Sequence, residues 1–234
     1  MQYRFEYKYL INAHTSAVLR GRTKALMCPD SHSGGSYVVN SLYLDDRYDS
    51  FYYSKYYGSL HKNKYRLRYY NKDLSFIRLE RKHKDGLLSY KESMQITQEQ
   101  YQMVKLGNMD FILKEEAPLW QKLGAIYRTR GLRPAVSFAY RREAYTYGPG
   151  NVRFTFDGPL FNPEGSGRGG TAGYDPLALV YGRQAYHPLL LEVKYTGFLP
   201  EIVKRLLNGL PLAHTELSKY CVARERGILP YGKI

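Results

Sequence analysis

Cationic side chains recur at every second position in several short stretches of this chain. Lys64, Arg66 and Arg68 alternate with Tyr65, Leu67 and Tyr69, and beyond Asn71-Lys72-Asp73 the residues Arg78, Glu80 and Lys82 alternate with Ile77 and Leu79. Arg4, Glu6 and Lys8 interleave with Phe5, Tyr7 and Tyr9; Arg153 and Asp157 with Val152, Phe154 and Phe156; Glu192 and Lys194 with Leu191, Val193 and Tyr195. Lys91 adds one more cation of this kind. Guanidinium forks grip phosphate oxygens in pairs, ammonium groups act as point charges, and a few carboxylates among them can hold a divalent ion that bridges phosphates. The chemistry on offer is the handling of a phosphorylated anion.

Positions two apart share one face of a β-strand, so each stretch predicts a strand with a charged face and an apolar-aromatic face. Strands are expected over 3–11, 37–45, two within 64–84, 87–96, 135–146, 151–157 and 189–196, eight in all. Helices are expected over 15–27, from the Thr97/Gln100 capping box to Gly107, over 115–130 with Pro118 in the first turn, over 200–208, and from a Thr215 cap to Arg226. Residues 46–57 suggest a short helix, with an irregular aromatic loop as the alternative, and 158–188, rich in glycine and proline, a long loop that is no phosphate-binding P-loop because no GK[ST] follows. Irregular spacing between strands disfavours a βαβ repeat and favours a mainly antiparallel sheet in a single domain.

The chain has 234 residues, a formal net charge of +14, 25 tyrosines and one tryptophan. That charge implies an anionic partner without choosing among nucleic acid, a membrane surface and a phosphorylated substrate. Cys28 and Cys221 form no CxxC pair, no apolar run is long enough to span a membrane, and MQYRFEYKY is no signal peptide, which together predict a soluble, cytoplasmic protein. The six histidines show neither HxH nor HExxH spacing and are assigned to surface or loop positions. Asp45-Asp46 is assigned to a strand-end turn, and Asp157 is expected to pair with Arg153.

A polar sheet face ordinarily looks at water. Here Arg and Lys dominate instead of Ser, Thr and Gln, and Glu recurs in the ExK pairs EYK and EVK. Were the strands to close with these faces inward, so many buried charges would require a wet interior that holds anions. The ordered set RFEYKYLI, SLYLDD, KYRLRYY, RLERKHK, YKES, AYRREAY, VRFTFDG, LLEVKYTG and ELSKY, from Arg4 to Tyr220, resembles the VTC (vacuolar transporter chaperone) domain. That domain is the polyphosphate polymerase branch of the triphosphate tunnel metalloenzymes, also called CYTH-like.

The resemblance implies an α+β fold, a closed eight-stranded mainly antiparallel β-barrel with flanking helices. Its implied catalytic set is Lys8, Arg66, Arg68, Lys82, Arg142, Lys194 and Lys219, with Lys91, Arg78, Arg153, Tyr140, Ser218 and Arg4 as phosphate contacts. Glu192 and Glu6 are the implied ligands of Mn2+ or Mg2+. Alternation puts Arg141 and Arg142 on opposite faces, so only one of them points inward. Glu6 matches one glutamate of the ExExK signature of tunnel triphosphatases, whereas Arg4 replaces the other.

The expected function is therefore transfer of the ATP γ-phosphate to a growing polyphosphate chain. The alternatives are a tunnel triphosphatase and a non-catalytic module that binds polyphosphate or nucleic acid. The implied partners are ATP and inorganic polyphosphate, with no nucleic acid and no membrane insertion. Attachment to the cytosolic face of a membrane would come through a separate membrane protein.

Overall fold

The computed structural model describes residues 4–30, 35–85, 88–163 and 189–225, with the backbone alone for Arg4, Leu88 and Ser89. In chain order the strand β1 (Arg4–Ile11) leads into α1 (Ala13–Leu26), then the two-residue β2 (Cys28–Pro29), β3 (Tyr37–Asp45) and the single turn α2 (Ser50–Tyr53). Three long antiparallel strands follow, β4 (His61–Tyr70), β5 (Asp73–Asp85) and β6 (Leu88–Ile96), and then α3 (Gln98–Leu106) and α4 (Pro118–Arg130). The remainder is β7 (Arg133–Tyr147), β8 (Val152–Asp157), β9 (Leu189–Thr196), α5 (Glu201–Leu207), β10 (Ala213–His214) and α6 (Lys219–Glu225).

Two compact units divide these elements, with the long strand β7 passing from one to the other between Ala139 and Tyr140. In the first unit the strands run in the order β10-β1-β9-β8-β7, with β2 on β7, and α1 and α5 accompany them. One face of this sheet packs Ile11, Leu19, Met27, Tyr145, Phe154, Phe156, Leu191, Val193 and Val203 into a core. The turn from β7 to β8 depends on Gly150, whose φ is +73°; a Cβ there would stand 2.5 Å from the Phe198 carbonyl oxygen.

In the second unit the order is β7-β3-β4-β5-β6. Leu42, Leu44, Tyr65, Leu67, Ile77, Leu79 and Ile96 face α3 and α4, which contribute Tyr101, Val104, Trp120 and Leu123 to the same core. Full burial of a side chain such as Leu67 or Leu79 stabilises by about 2 kcal/mol. The turn joining β4 to β5 places Asn71 at φ +52°, a left-handed conformation that asparagine tolerates.

The eight long strands are present where alternation puts them, and two further two-residue strands bring the number among the described residues to ten. Among the described residues the ladders are open: the first unit's order ends at β10 and the second's at β6, so the expected closed eight-stranded barrel is replaced by an open, antiparallel, sheet-dominated α+β fold with flanking helices. Period-two alternation assigns a residue to a face but says nothing about which backbone edge finds a partner, so it cannot separate an open sheet from a closed one.

Helix boundaries differ from expectation where side chains compete for caps. Asn12 accepts from Thr15 N and starts α1 two residues early, whereas the Thr97–Gln100 box forms as expected at α3. Thr215 Oγ1 is committed to Leu217 N, so Thr215 caps no helix; Ser218 Oγ accepts from Cys221 N and α6 begins at Lys219. The expected helix over 46–57 shrinks to Ser50–Tyr53, because Asp49 sits at φ +54° and Asp46 Oδ1 accepts from Tyr48 N and Ser50 N. Residues 164–188 of the expected long loop, and Arg226, lie outside the described residues.

Candidate functional site

In the second unit, register places the cations in rows across three strands. Lys62 stands opposite Lys84; Lys64 opposite Lys82, which stands opposite Lys91; Arg66 opposite Glu80, which stands opposite Ser93; Arg68 opposite Arg78, which stands opposite Gln95. All project from the face away from Leu67 and Leu79, so this face carries eight cations, Lys62, Lys64, Arg66, Arg68, Arg78, Lys82, Lys84 and Lys91, and the single carboxylate Glu80. Like charges directly opposite on neighbouring strands each cost roughly 0.2–1 kcal/mol, so a row of three lysines serves something other than stability.

Glu80 is the hub. Its Oε2 accepts from Arg66 Nε at 2.7 Å and lies 4.0 Å from Arg68 Nη1, while Oε1 lies 2.5 Å from Lys91 Nζ. Burial alone pushes a carboxyl up, yet Arg66, Arg68 and Lys91 outweigh it and hold Glu80 down to about 2. Arg66 Nη1 also donates to the Tyr43 hydroxyl at 2.9 Å. That phenol is buried, which raises its pKa, but Arg66, Arg68 and Lys64 draw it down to about 8. A buried phenol that ionises this readily reports a strongly positive local potential.

Arg78 Nε donates to Ser93 Oγ at 2.6 Å, and Lys64 Nζ donates to Ser218 Oγ at 2.7 Å, which ties β4 to the start of α6. Lys219 is the next residue and is half-buried. Asp45 and Asp46 form the expected strand-end turn: Asp45 accepts from the backbone of Asp46, Phe51 and Tyr52, and from the hydroxyl of Tyr220 in α6.

The first unit holds a second, charge-balanced set. Arg142 binds Asp157 through both fork arms, Nε to Oδ1 at 2.5 Å and Nη2 to Oδ2 at 2.6 Å, and its Nη2 lies 3.5 Å from Glu192 Oε2. Its guanidinium sits over the buried Tyr140 ring. Burial opposes the charge on Arg142, but Asp157, Tyr140 and Glu192 raise its pKa well above the usual arginine range. From Glu192 the chain of charges continues to Lys194 at 3.2 Å, to Glu6 at 3.8 Å from Lys194, and to Lys8 at 3.5 Å from Glu6. Burial lowers the Lys194 pKa against the pull of Glu192 and Glu6.

The expected Asp157–Arg153 pair is not formed. Arg153 Nη2 is taken by Asp30 at 2.7 Å, because Asp157 stands directly opposite Arg142 in the β7–β8 ladder. Of the neighbouring arginines, Arg142 is the buried one and Arg141 is exposed. The Arg4 side chain lies outside the described residues.

The structure thus gathers Arg66, Arg68, Arg78, Lys82 and Lys91 on one face of the second unit, with Ser218 at Lys64. It gathers Lys8, Glu6, Arg142, Lys194 and Glu192 in the first unit. Sequence reasoning gave no site role to Lys64, Tyr43 or Glu80, and only the cross-strand register reveals their places. A shallow cleft of about 500 Å³ lined by Leu74, Ser75, Gln95, Ile96, Thr97, Gln98 and Gln100 has no charged side chain and offers nothing to a phosphate.

Glu6 and Glu192 share the Lys194 ammonium, so one cation already bridges the two carboxylates. Two carboxylates fit Mg2+ or Mn2+, which keep several waters and take substrate phosphates as further ligands, better than an all-protein cage.

A family model for the VTC domain matches residues 3–226. The chain belongs to the VTC-domain family. Among solved structures, this VTC domain is similar to the PH1819 protein of Pyrococcus horikoshii OT3, with 12% identity and a TM-score of 0.50 over 96% of this chain and 99% of that one. It is also similar to a Vibrio parahaemolyticus protein provisionally named an adenylate cyclase, with 13% identity and a TM-score of 0.50 over 94% and 96% of the two chains. At these identities the likeness concerns the fold alone. No curated protein sequence matches this VTC domain.

Proposed function

We propose that this VTC domain is an ATP-dependent polyphosphate polymerase. The observation that carries the reading is the charge imbalance on the β4–β5–β6 face, eight cations against Glu80 alone. At about 3.4 Å rise per residue, the rows from Lys62 to Arg68 extend roughly 20 Å, a length suited to a linear polyanion rather than a single phosphate. Membership of the VTC-domain family supports the same reading.

In the proposed reaction a terminal oxygen of the polyphosphate chain attacks the γ-phosphorus of ATP. A new P–O–P link forms, the bond from the γ-phosphorus to the β-bridging oxygen breaks, and ADP leaves with that oxygen. Such transfer requires positioning and charge stabilisation more than covalent help from the protein. Arg66 and Arg68 present forks to the phosphate oxygens, Lys64, Lys82 and Lys91 add point charges, and Glu80 holds Arg66 in place. Glu192, with Glu6, is the proposed holder of Mn2+ or Mg2+, which when bound neutralises phosphate oxygens. Arg142 keeps Glu192 oriented from its anchor on Asp157.

ATP and polyphosphate are the proposed partners, in a cytoplasmic setting with any membrane attachment supplied by a separate protein. Among the described residues no helix is long and apolar enough to cross a membrane. Incubation with γ-labelled ATP tests the reading. Label recovered in chains longer than the primer supports polymerase activity; label released only as free phosphate or triphosphate products identifies a triphosphatase instead.

A further inference from the structure

The end of the β4–β5 ladder away from its turn carries side chains that phosphate chemistry does not use. His61 stands directly opposite Asp85, and Asn63, two residues further along β4, opposite His83. By alternation these four project from the face opposite Lys62, Lys64, Lys82 and Lys84. A ring nitrogen of His61, a ring nitrogen of His83 and a carboxylate oxygen of Asp85 lie within 4.8 Å of one another, and no other trio of metal-ligating residue types is grouped this way among the described residues.

The surroundings orient these groups. Asn63 Oδ1 accepts from Arg81 Nε at 2.9 Å, which identifies that atom as the carbonyl end of the amide. The same oxygen lies 2.9 Å from His83 Nδ1. A carbonyl oxygen cannot donate, so His83 Nδ1 carries the proton and the neutral ring keeps its lone pair on Nε2. A hydrogen bond of this kind fixes tautomer and ring direction in metal-ligating histidines. The His61 and His83 rings are within 9° of parallel with centroids 6.4 Å apart, and Tyr90 stacks on the other side of His83 at 6.2 Å. Asp85 Oδ1 lies 3.0 Å from His61 Nδ1.

We infer that His61, His83 and Asp85 form a binding site for a divalent transition-metal ion of the zinc type, clipping the ends of β4 and β5 together. Two imidazoles and one carboxylate, with water in the remaining position, suit zinc; magnesium and calcium seek more oxygen ligands. Ligand bonds of about 2.0–2.2 Å place tetrahedral ligand atoms about 3.3 Å apart, so the trio must close by on the order of an ångström. His61 and Asp85 are exposed and have room to turn.

Calorimetric titration of zinc chloride into the full chain near neutral pH tests the site, with Cys28→Ser in the background because Cys28 is an exposed thiol. The expected result is one equivalent bound. Affinity should fall by at least about tenfold in His61→Ala, His83→Ala and Asp85→Asn, and by about tenfold in Asn63→Leu, which leaves the three ligands in place and removes the acceptor shared by His83 Nδ1 and Arg81 Nε. His14→Ala, on an exposed position of α1, should bind as the parent does. Zinc should also raise the melting temperature of the parent but not of the His61→Ala/His83→Ala variant, whose circular dichroism should match the parent's. Absence of zinc binding by the parent, or undiminished affinity in the folded double variant, overturns the inference.

Discussion

Arg66 and Glu80 stand directly opposite on neighbouring strands, joined by a 2.7 Å hydrogen bond from Nε to Oε2, and among the described residues of the β4–β5–β6 rows Glu80 is the only carboxylate beside eight cations. Its pKa is lowered from the ordinary glutamate value of 4.5 to about 2. Because the folded pKa is depressed, the resulting stability is fully present above about pH 4.5 and is lost as pH falls through about 2. Glu80→Gln should therefore cost about 3 kcal/mol at neutral pH, with the difference from wild type shrinking across that acid range. Urea unfolding at several pH values measures it; a difference independent of pH would contradict the assignment.

Tyr43 offers a spectroscopic report on the same face. With its pKa drawn to about 8, one tyrosine should ionise well before the others in an ultraviolet titration, and the step should vanish in Tyr43→Phe. A depressed acid contributes stability above its unfolded pKa of about 10, lost as pH falls through about 8. Added polyphosphate should neutralise the surrounding cations and move the midpoint upward. An unmoved midpoint at saturating polyphosphate would place the ligand elsewhere.

Lys82 separates stability from function. It lies between Lys64 and Lys91 in one row, so Lys82→Gln should stabilise the ligand-free protein by roughly 0.2–1 kcal/mol per relieved pair. Polyphosphate affinity should fall about tenfold, the equivalent of one lost charge-assisted contact. Thermal unfolding and a binding isotherm should move in opposite senses; a variant that is both less stable and equally tight would refute the role.

Arg142 is expected to behave differently from Arg66. Removing it leaves Asp157 buried without its bidentate partner, so Arg142→Met should cost about 3–5 kcal/mol. The double variant Arg142→Met/Asp157→Leu should recover most of that, since Glu192 retains Lys194. Equal stability of the single and double variants would show that the bidentate bond to Arg142 is not what stabilises the Asp157 carboxylate.

The strands were legible in the sequence because alternation over eight or more residues leaves little choice of face, as in β4 and β5. Partners were not. Asp157 and Arg153 share the charged face of β8, yet the residue opposite Asp157 comes from β7, which no spacing within β8 reveals. The trio of His61, His83 and Asp85 is likewise completed by register, which sets His61 of β4 opposite Asp85, two residues beyond His83 on β5. Two-residue strands such as β2 and β10 have no periodicity to read, and the choice between Thr215 and Ser218 as a cap was settled by Thr215 turning to Leu217. What the sequence did expose in the candidate site was its excess of cations; what it hid was Glu80 as their common counter-charge.

The most direct test is polyphosphate synthesis from ATP and Mn2+, resolved on a gel, by wild type and Arg66→Ala. Without Arg66, Glu80 keeps Lys91 at 2.5 Å and Arg68 at 4.0 Å, so the fold should survive, as circular dichroism can confirm. The account predicts a ladder of lengthening chains from wild type and none from Arg66→Ala. Polymer made equally well by the folded variant, or phosphate release without chain growth by wild type, would contradict it.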